Sequence, residues 1–136
     1  MDKAKEKEIR QWLIKAKHDL GSAKCLIAGE VKFLDTAVYH CQQSAEKSLK
    51  AYLTFKDTPF QKIHDLSVLV EQCTELDVAF QKISNVSEIL TPYATAFRYP
   101  GDVLEPEYSE ALEAIHLAEN VLVFVMERLP AEINEV

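Results

Sequence analysis

Apolar residues recur along this chain at steps of three and four, the spacing of one face of an α-helix. The first stripe stops before Gly29, which favours the end of a helix there. It comprises Ile9, Leu13, Ala16, Leu20, Ala23 and Ile27. A second stripe predicts a helix from about Leu34 to Phe55, and it comprises Leu34, Ala37, Val38, Cys41, Ala45, Leu49, Tyr52 and Phe55. The following Lys56–Pro59 segment predicts a turn, because proline disfavours helical geometry in the residue before it.

Three more helical segments follow. A short helix is expected from about His64 to Cys73, with its buried side formed by Leu66, Leu69, Val70 and Cys73. Residues 74–97 predict one helix, or two short ones that meet near Ser84 and Asn85. After a break at residues 98–102, the last helix is expected from about Glu107 to Arg128. Its inward side comprises Ala111, Ile115, Ala118, Leu122, Met126 and Leu129.

No segment alternates polar and apolar residues as a strand would. The sequence therefore predicts an all-α fold, an up-and-down four-helix bundle with one or two short additional helices. A length of 136 residues with 48% hydrophobic content suits a single domain with a real core, over residues 1–136.

Charge and cysteine content narrow the functional classes. The net charge of −7 disfavours sequence-blind nucleic-acid binding, which depends on neutralising phosphates. The charged N-terminus lacks the apolar run of a signal peptide, and no stretch approaches the roughly 20 apolar residues that span a bilayer. We therefore expect a cytoplasmic protein without a membrane segment. Because Cys25, Cys41 and Cys73 are odd in number and form no CxxC motif, we expect buried free thiols.

Motifs for metal or nucleophilic chemistry are incomplete. Glu113 and His116 form one E-x-x-H motif, whereas a di-iron bundle needs two such motifs and further inward carboxylates. We therefore expect no metal and no cofactor. His64 and Asp65 look like the start of a metal-hydrolase motif, but without converging ligands they favour a cap on the third helix. Phosphate-binding glycine loops and Gly-x-Ser-x-Gly elbows are missing from the sequence.

Two polar features remain open at this point. Arg98 leaves a helix end at a rigid turn, where its guanidinium could bond the last helical carbonyls or bind a phosphate or carboxylate ligand.

The second feature is the polar row of the second helix. Projected at 100° per residue, Gln43, Glu46 and Lys50 lie opposite the apolar stripe, flanked by Gln42 and Lys47. This face could serve solubility, a partner or a ligand site. The Glu46–Lys50 pair alone would add ~0.2–0.5 kcal/mol on a solvated face.

Three segments occur together in an order that resembles one protein family. They are QQSAEKSLKAYL at residues 42–53, KIHDL at residues 62–66 and FRYP at residues 97–100. In this order and on helices of these lengths they resemble the HEPN domain, over about residues 9–129.

The resemblance implies a four-helix bundle with a short fifth helix, often dimeric. Such domains are similar to the helical half of certain nucleotidyltransferases and are commonly encoded beside a minimal nucleotidyltransferase, and nucleotide binding has been inferred for them. Many members are RNA-cutting toxins of toxin–antitoxin pairs, with an Arg and a His separated by four to six residues. This chain departs from that motif, since seven residues separate Arg10 from His18 and seventeen separate Arg98 from His116.

The leading hypothesis is a HEPN-type accessory protein that binds a nucleotide or nucleic-acid-like ligand and pairs with a minimal nucleotidyltransferase, as in toxin–antitoxin systems. The predicted ligand-binding residues are Arg98, Tyr99, His64, Lys47 and Lys50, with Arg98 as the anion contact and Tyr99 stacking on a base. Gln42, Gln43 and Glu46 are predicted to face a partner. The alternative is a metal-independent ribonuclease that uses His64 and Arg98, and a third possibility is a homodimer with a structural role only.

Overall fold

The computed structural model describes residues 1–101 and 105–134. Within these residues the regular structure is entirely helical, which confirms the predicted all-α bundle. Five α-helices run in the order α1 (Lys3–Ala28), α2 (Leu34–Phe55), α3 (Leu66–Leu76), α4 (Ser84–Leu90) and α5 (Tyr108–Met126). Two short 3₁₀ helices, Val78–Ile83 and Thr91–Ala94, flank α4.

Local capping explains where three of these helices begin. The Asp2 carboxylate accepts a hydrogen bond from the Lys5 N–H at 2.8 Å. Asp65 caps α3 in the same way, as the sequence predicts. Glu107 and Glu110 form a reciprocal capping box at the start of α5. These side chains satisfy amides that would otherwise lack partners at the helix ends.

The predicted boundaries agree closely with the structure. The segment after α3 divides at Ser84, where α4 begins, and Pro92 lies in the first turn of a 3₁₀ helix, where its missing N–H costs no bond. The predicted break after the 3₁₀ helices begins at Arg98, but residue 102 at its end lies outside the described residues.

The core draws on every helix, and α2 lies at its centre. This helix packs against α1, α3 and α5. Every residue of the predicted α1 stripe is buried, as are the four predicted apolar residues of α3. Cys41 and Cys73 are buried free thiols, but the prediction is wrong for Cys25, which is exposed because it lies off the α1 stripe. No described helix combines the length and the apolar content needed to cross a membrane.

Candidate functional site

The polar row of α2 is buried, so the prediction that it faces outward is wrong. Gln42 is 0% exposed, Gln43 9%, Glu46 3% and Lys50 6%. The projection of a single helix assumed one buried face, whereas α2 is covered by other helices on several sides. These side chains therefore form a buried network inside the chain.

Glu46 is the centre of this network. Its Oε2 lies 3.1 Å from the Lys50 Nζ, which is the predicted pair in a buried rather than a solvated setting. Its Oε1 accepts from the Gln42 amide at 3.2 Å and lies 2.9 Å from Nδ1 of His64. The Gln42 amide also donates to the His64 carbonyl at 2.9 Å. His64 is thus tied to α2, although its own side chain is 66% exposed.

Lys50 is also enclosed by aromatic rings. Its Nζ lies 5.5 Å from the ring centroids of Trp12 and of Phe60. Those two rings meet edge to face at 5.9 Å. The negative faces of the rings attract the ammonium group, and together with Glu46 they compensate its burial.

A second cluster joins α1 to α2. Asp19 of α1 is buried, and its two carboxylate oxygens reach two different side chains of α2. Oδ2 accepts from the Lys47 Nζ at 2.6 Å, and Oδ1 lies 2.8 Å from Nδ1 of His40. Lys47 therefore acts as the counter-ion of Asp19 in this structure.

Arg98 follows a strained turn. Phe97 has a φ of 67°, a left-handed conformation that costs a non-glycine residue roughly 1–2 kcal/mol. The Phe97 ring stacks on Tyr93 at a centroid distance of 6.1 Å, which holds the turn in place. The Arg98 guanidinium donates to the Ala94 carbonyl at 3.2 Å and lies over the Tyr39 ring, with Cζ 4.0 Å from its centroid. The expected bond to a helical carbonyl is present, and the stacking fixes the plane of the guanidinium.

A cavity of about 300 Å³ lies beside this guanidinium. Its lining comprises Asp35, Thr36, Tyr39, His40, Phe97 and Arg98. An arginine and a histidine at one cavity are suited to binding an anion such as phosphate, because a guanidinium bonds phosphate oxygens in pairs. Tyr99 follows Arg98 and is exposed.

The structure groups the predicted site residues differently from the sequence. His64 and Lys50 contact Glu46, Lys47 contacts Asp19, and Arg98 contacts Tyr39. The histidine that lines the Arg98 cavity is His40, which the sequence analysis did not select. The available signal was Asp19, a charged residue within the buried stripe of α1, because a buried carboxylate requires a polar or cationic partner.

The E-x-x-H motif lies on the outer side of α5, where both Glu113 and His116 are exposed. Over residues 1–101 and 105–134, no three metal-ligating side chains come together in a group.

The comparison with family models decides the family. The HEPN domain model matches residues 9–129, which is most of the chain. The chain belongs to the HEPN domain family. Two solved structures resemble this HEPN chain. TT1696 from Thermus thermophilus is 28% identical with a TM-score of 0.74, over 89% of this chain and 98% of that one. ST0689, an archaeal HEPN homologue, is 26% identical with a TM-score of 0.68, over 88% and 96%. No curated protein matches the chain.

Proposed function

We propose that this HEPN domain binds the phosphate of a nucleotide or nucleic-acid-like ligand at the cavity beside Arg98. In this proposal it is an accessory protein that pairs with a minimal nucleotidyltransferase, in the manner of a toxin–antitoxin system. The proposed phosphate binding is supported by the cavity, whose lining includes Arg98, His40 and Tyr39.

The setting of Arg98 favours ligand binding over a purely structural role. One guanidinium nitrogen donates to the Ala94 carbonyl, but a guanidinium carries five N–H donors. Stacking on Tyr39 orients the group before a ligand arrives, which lowers the entropy cost of binding. The strain at Phe97 fits this account, since strained backbone is commonly found at binding sites.

The size of the cavity limits what enters it. A volume of about 300 Å³ lies at the lower end for small-molecule sites, so it suits a phosphate with its sugar better than a whole dinucleotide. The base would then lie outside, where the exposed Tyr99 is the proposed stacking partner.

The two predicted ligand-binding lysines each pair with a carboxylate of the chain. Lys47 and Lys50 are held in ion pairs with Asp19 and Glu46. Replacing either lysine by glutamate would place a second negative charge beside a buried carboxylate. Such variants should therefore lose stability before any effect on ligand or partner binding can be measured. Loss of partner binding in such variants would not identify a partner surface.

Pairing with a nucleotidyltransferase and formation of a homodimer rest on family membership. Size-exclusion chromatography with light scattering tests the homodimer on the protein alone. Co-expression with a minimal nucleotidyltransferase tests the pairing, and separate elution of the two proteins at micromolar concentration would contradict it.

The ribonuclease alternative that pairs His64 with Arg98 receives no support from the contacts of these residues. His64 bonds Glu46, two turns along α2 from the Tyr39 ring that Arg98 covers.

Calorimetric titration with ATP, GTP and a short single-stranded RNA tests the ligand proposal. Arg98→Ala is expected to weaken binding at least tenfold, because charge-assisted hydrogen bonds contribute ~1.5–3 kcal/mol. Arg98→Lys should restore only part of it, since lysine lacks the planar fork that stacks on Tyr39. Arg10→Gln is the control, because it also removes a guanidinium, one that donates to the Glu132 carbonyl and pairs with Glu6 but does not line the cavity. Equal affinities for the wild type and Arg98→Ala would refute the proposal.

A further inference from the structure

The contacts of Asp19 fix the ring of His40. One carboxylate oxygen bonds Nδ1 of His40 at 2.8 Å, while the other bonds Lys47 at 2.6 Å. Because a carboxylate accepts, Nδ1 carries a proton, and Nε2 is the nitrogen that gains or loses one. Lys47 supplies the positive charge that Asp19 requires, so His40 need not be charged to stabilise Asp19.

His40 also lines the cavity that Arg98 lines. Its side chain is 28% exposed, so the ring is accessible to a ligand while its Nδ1 stays bonded to α1. An anion in this cavity would lie between the guanidinium of Arg98 and the imidazole of His40. These two groups come from different parts of the chain, α2 and the turn after the second 3₁₀ helix.

We propose that His40 is the second phosphate-binding residue of the Arg98 cavity and that Asp19 is a positioning residue which holds its ring. The inference rests on the proposed phosphate binding at Arg98. In its protonated form His40 adds a donor and a positive charge, so the site binds phosphate more tightly at lower pH.

Charged groups from three parts of the chain surround this ring. Asp19 faces it from α1, and Lys47 and Asp35 accompany it on α2. Arg98 faces it across the cavity, and the Tyr39 ring meets it edge to face at 5.6 Å. Asp35 accepts the Thr36 N–H at 2.8 Å, at the positive end of α2, which offsets its repulsion of an anion. Among the described residues named here the two carboxylates and the two cations balance, so protonation of His40 adds a positive charge to a set that is otherwise neutral.

The test uses two anions whose phosphodiester or sulfate charge is constant between pH 5.5 and 8.5. The dinucleotide UpU carries one phosphodiester, and sulfate presents a similar tetrahedral anion without a base. Calorimetry of the wild type should show binding of both that tightens about tenfold as the pH falls over this range. His40→Gln should bind weakly and without this pH dependence, whereas His116→Gln, which changes an exposed histidine of α5, should behave as the wild type.

Asp19→Asn separates positioning from structure. If Asp19 acts through His40, this variant weakens UpU binding at pH 6 and leaves the Arg98-dependent binding at pH 8.5 unchanged. Equal weakening at both pH values would mean that Asp19 has only a structural role and would overturn its assignment.

A measurement on the wild type covers the case in which a variant fails to fold. The four histidines can be titrated individually by NMR of their ring protons. Because the ligand prefers protonated His40, saturating UpU at constant pH should move the His40 ring signals towards those of the protonated imidazole and leave those of His18 and His116 unchanged.

The outcomes distinguish this inference from the function on which it rests. Unchanged His40 ring signals, or pH-independent binding that is lost only in Arg98→Ala, would overturn the role of His40 and keep the Arg98 site. Absence of UpU and sulfate binding at millimolar concentration in the wild type would overturn both.

Discussion

Glu46→Gln should destabilise this bundle more than almost any other single polar substitution. The change keeps the shape of the side chain and one acceptor oxygen, but it removes the charge that faces Lys50 at 3.1 Å. Lys50 then remains as a buried ammonium group beside the Trp12 and Phe60 rings, without the carboxylate charge that balances its own. The free energy of unfolding should fall because an uncompensated charge stays inside the protein.

The burial of the pair sets the magnitude. The side chains of Glu46 and Lys50 are only 5% and 7% exposed, so water screens the lost interaction little. Breaking such a pair costs ~3–5 kcal/mol, a large part of the ~5–15 kcal/mol that a domain has in total. Lys50→Met combined with Glu46→Gln removes both charges, and the double variant should be more stable than the sum of the single effects predicts.

Urea unfolding at pH 7, followed by circular dichroism, measures these differences. Fluorescence is unsuitable because Trp12 contacts Lys50 and would report the substitution itself. Glu119→Gln is the control, since it breaks the exposed Lys24–Glu119 pair at 3.4 Å, for which a loss of at most ~1 kcal/mol is expected. If Glu46→Gln cost no more than Glu119→Gln, the buried network as described would be wrong.

Helix capping by Asp65 and burial of two thiols give three further predictions. Asp65→Ala should cost ~0.5–2 kcal/mol in urea unfolding, because Asp65 caps α3 through the Ser67 N–H at 2.9 Å, and Asp65→Asn should retain most of that stability. Burial raises the pKa values of Cys41 and Cys73 to about 12, so at pH 8 a thiol reagent should modify the exposed Cys25 rapidly and the other two only after denaturation. Because the thiols of the unfolded chain lose their protons near pH 9 while the folded ones keep theirs, the free energy of unfolding should fall as the pH rises from 9 towards 12. Cys73→Ala should make this fall with pH less steep.

The helices were predictable because their apolar stripes are regular. Ile9, Leu13 and Ala16 repeat at helical spacing and are all buried. The boundary at Ser84 coincides with polar residues of weak helix propensity. The Asp65 cap could be predicted because it precedes an apolar run directly.

The surroundings of α2 were not predictable from periodicity. A helical projection shows which residues share a face, but it does not show how many neighbours cover that helix. Gln42, Glu46 and Lys50 look like a solvated face in sequence, yet they bond one another and His64 inside the bundle. Their burial becomes apparent only when α3 and the segment before it are placed against α2.

The Arg98 cavity was half predictable. Arg98 follows from its position at a rigid turn after a helical segment, but His40 lies far earlier in the chain and enters the cavity only through the packing of that turn on α2. Asp19, which orients His40, comes from a third element. Contacts between segments that are distant along the chain produce no regular residue spacing from which they could be predicted.

The proposed binding of phosphate beside Arg98 can be examined on the wild type by an NMR titration with ATP, GTP and a short single-stranded RNA. If phosphate binds there, the shifts should saturate and cluster at Arg98, Tyr39, His40 and Thr36. Shifts that cluster instead at the groove between α3 and α4, lined by Glu71, Glu75 and Glu88, would contradict it, as would their absence at millimolar ligand.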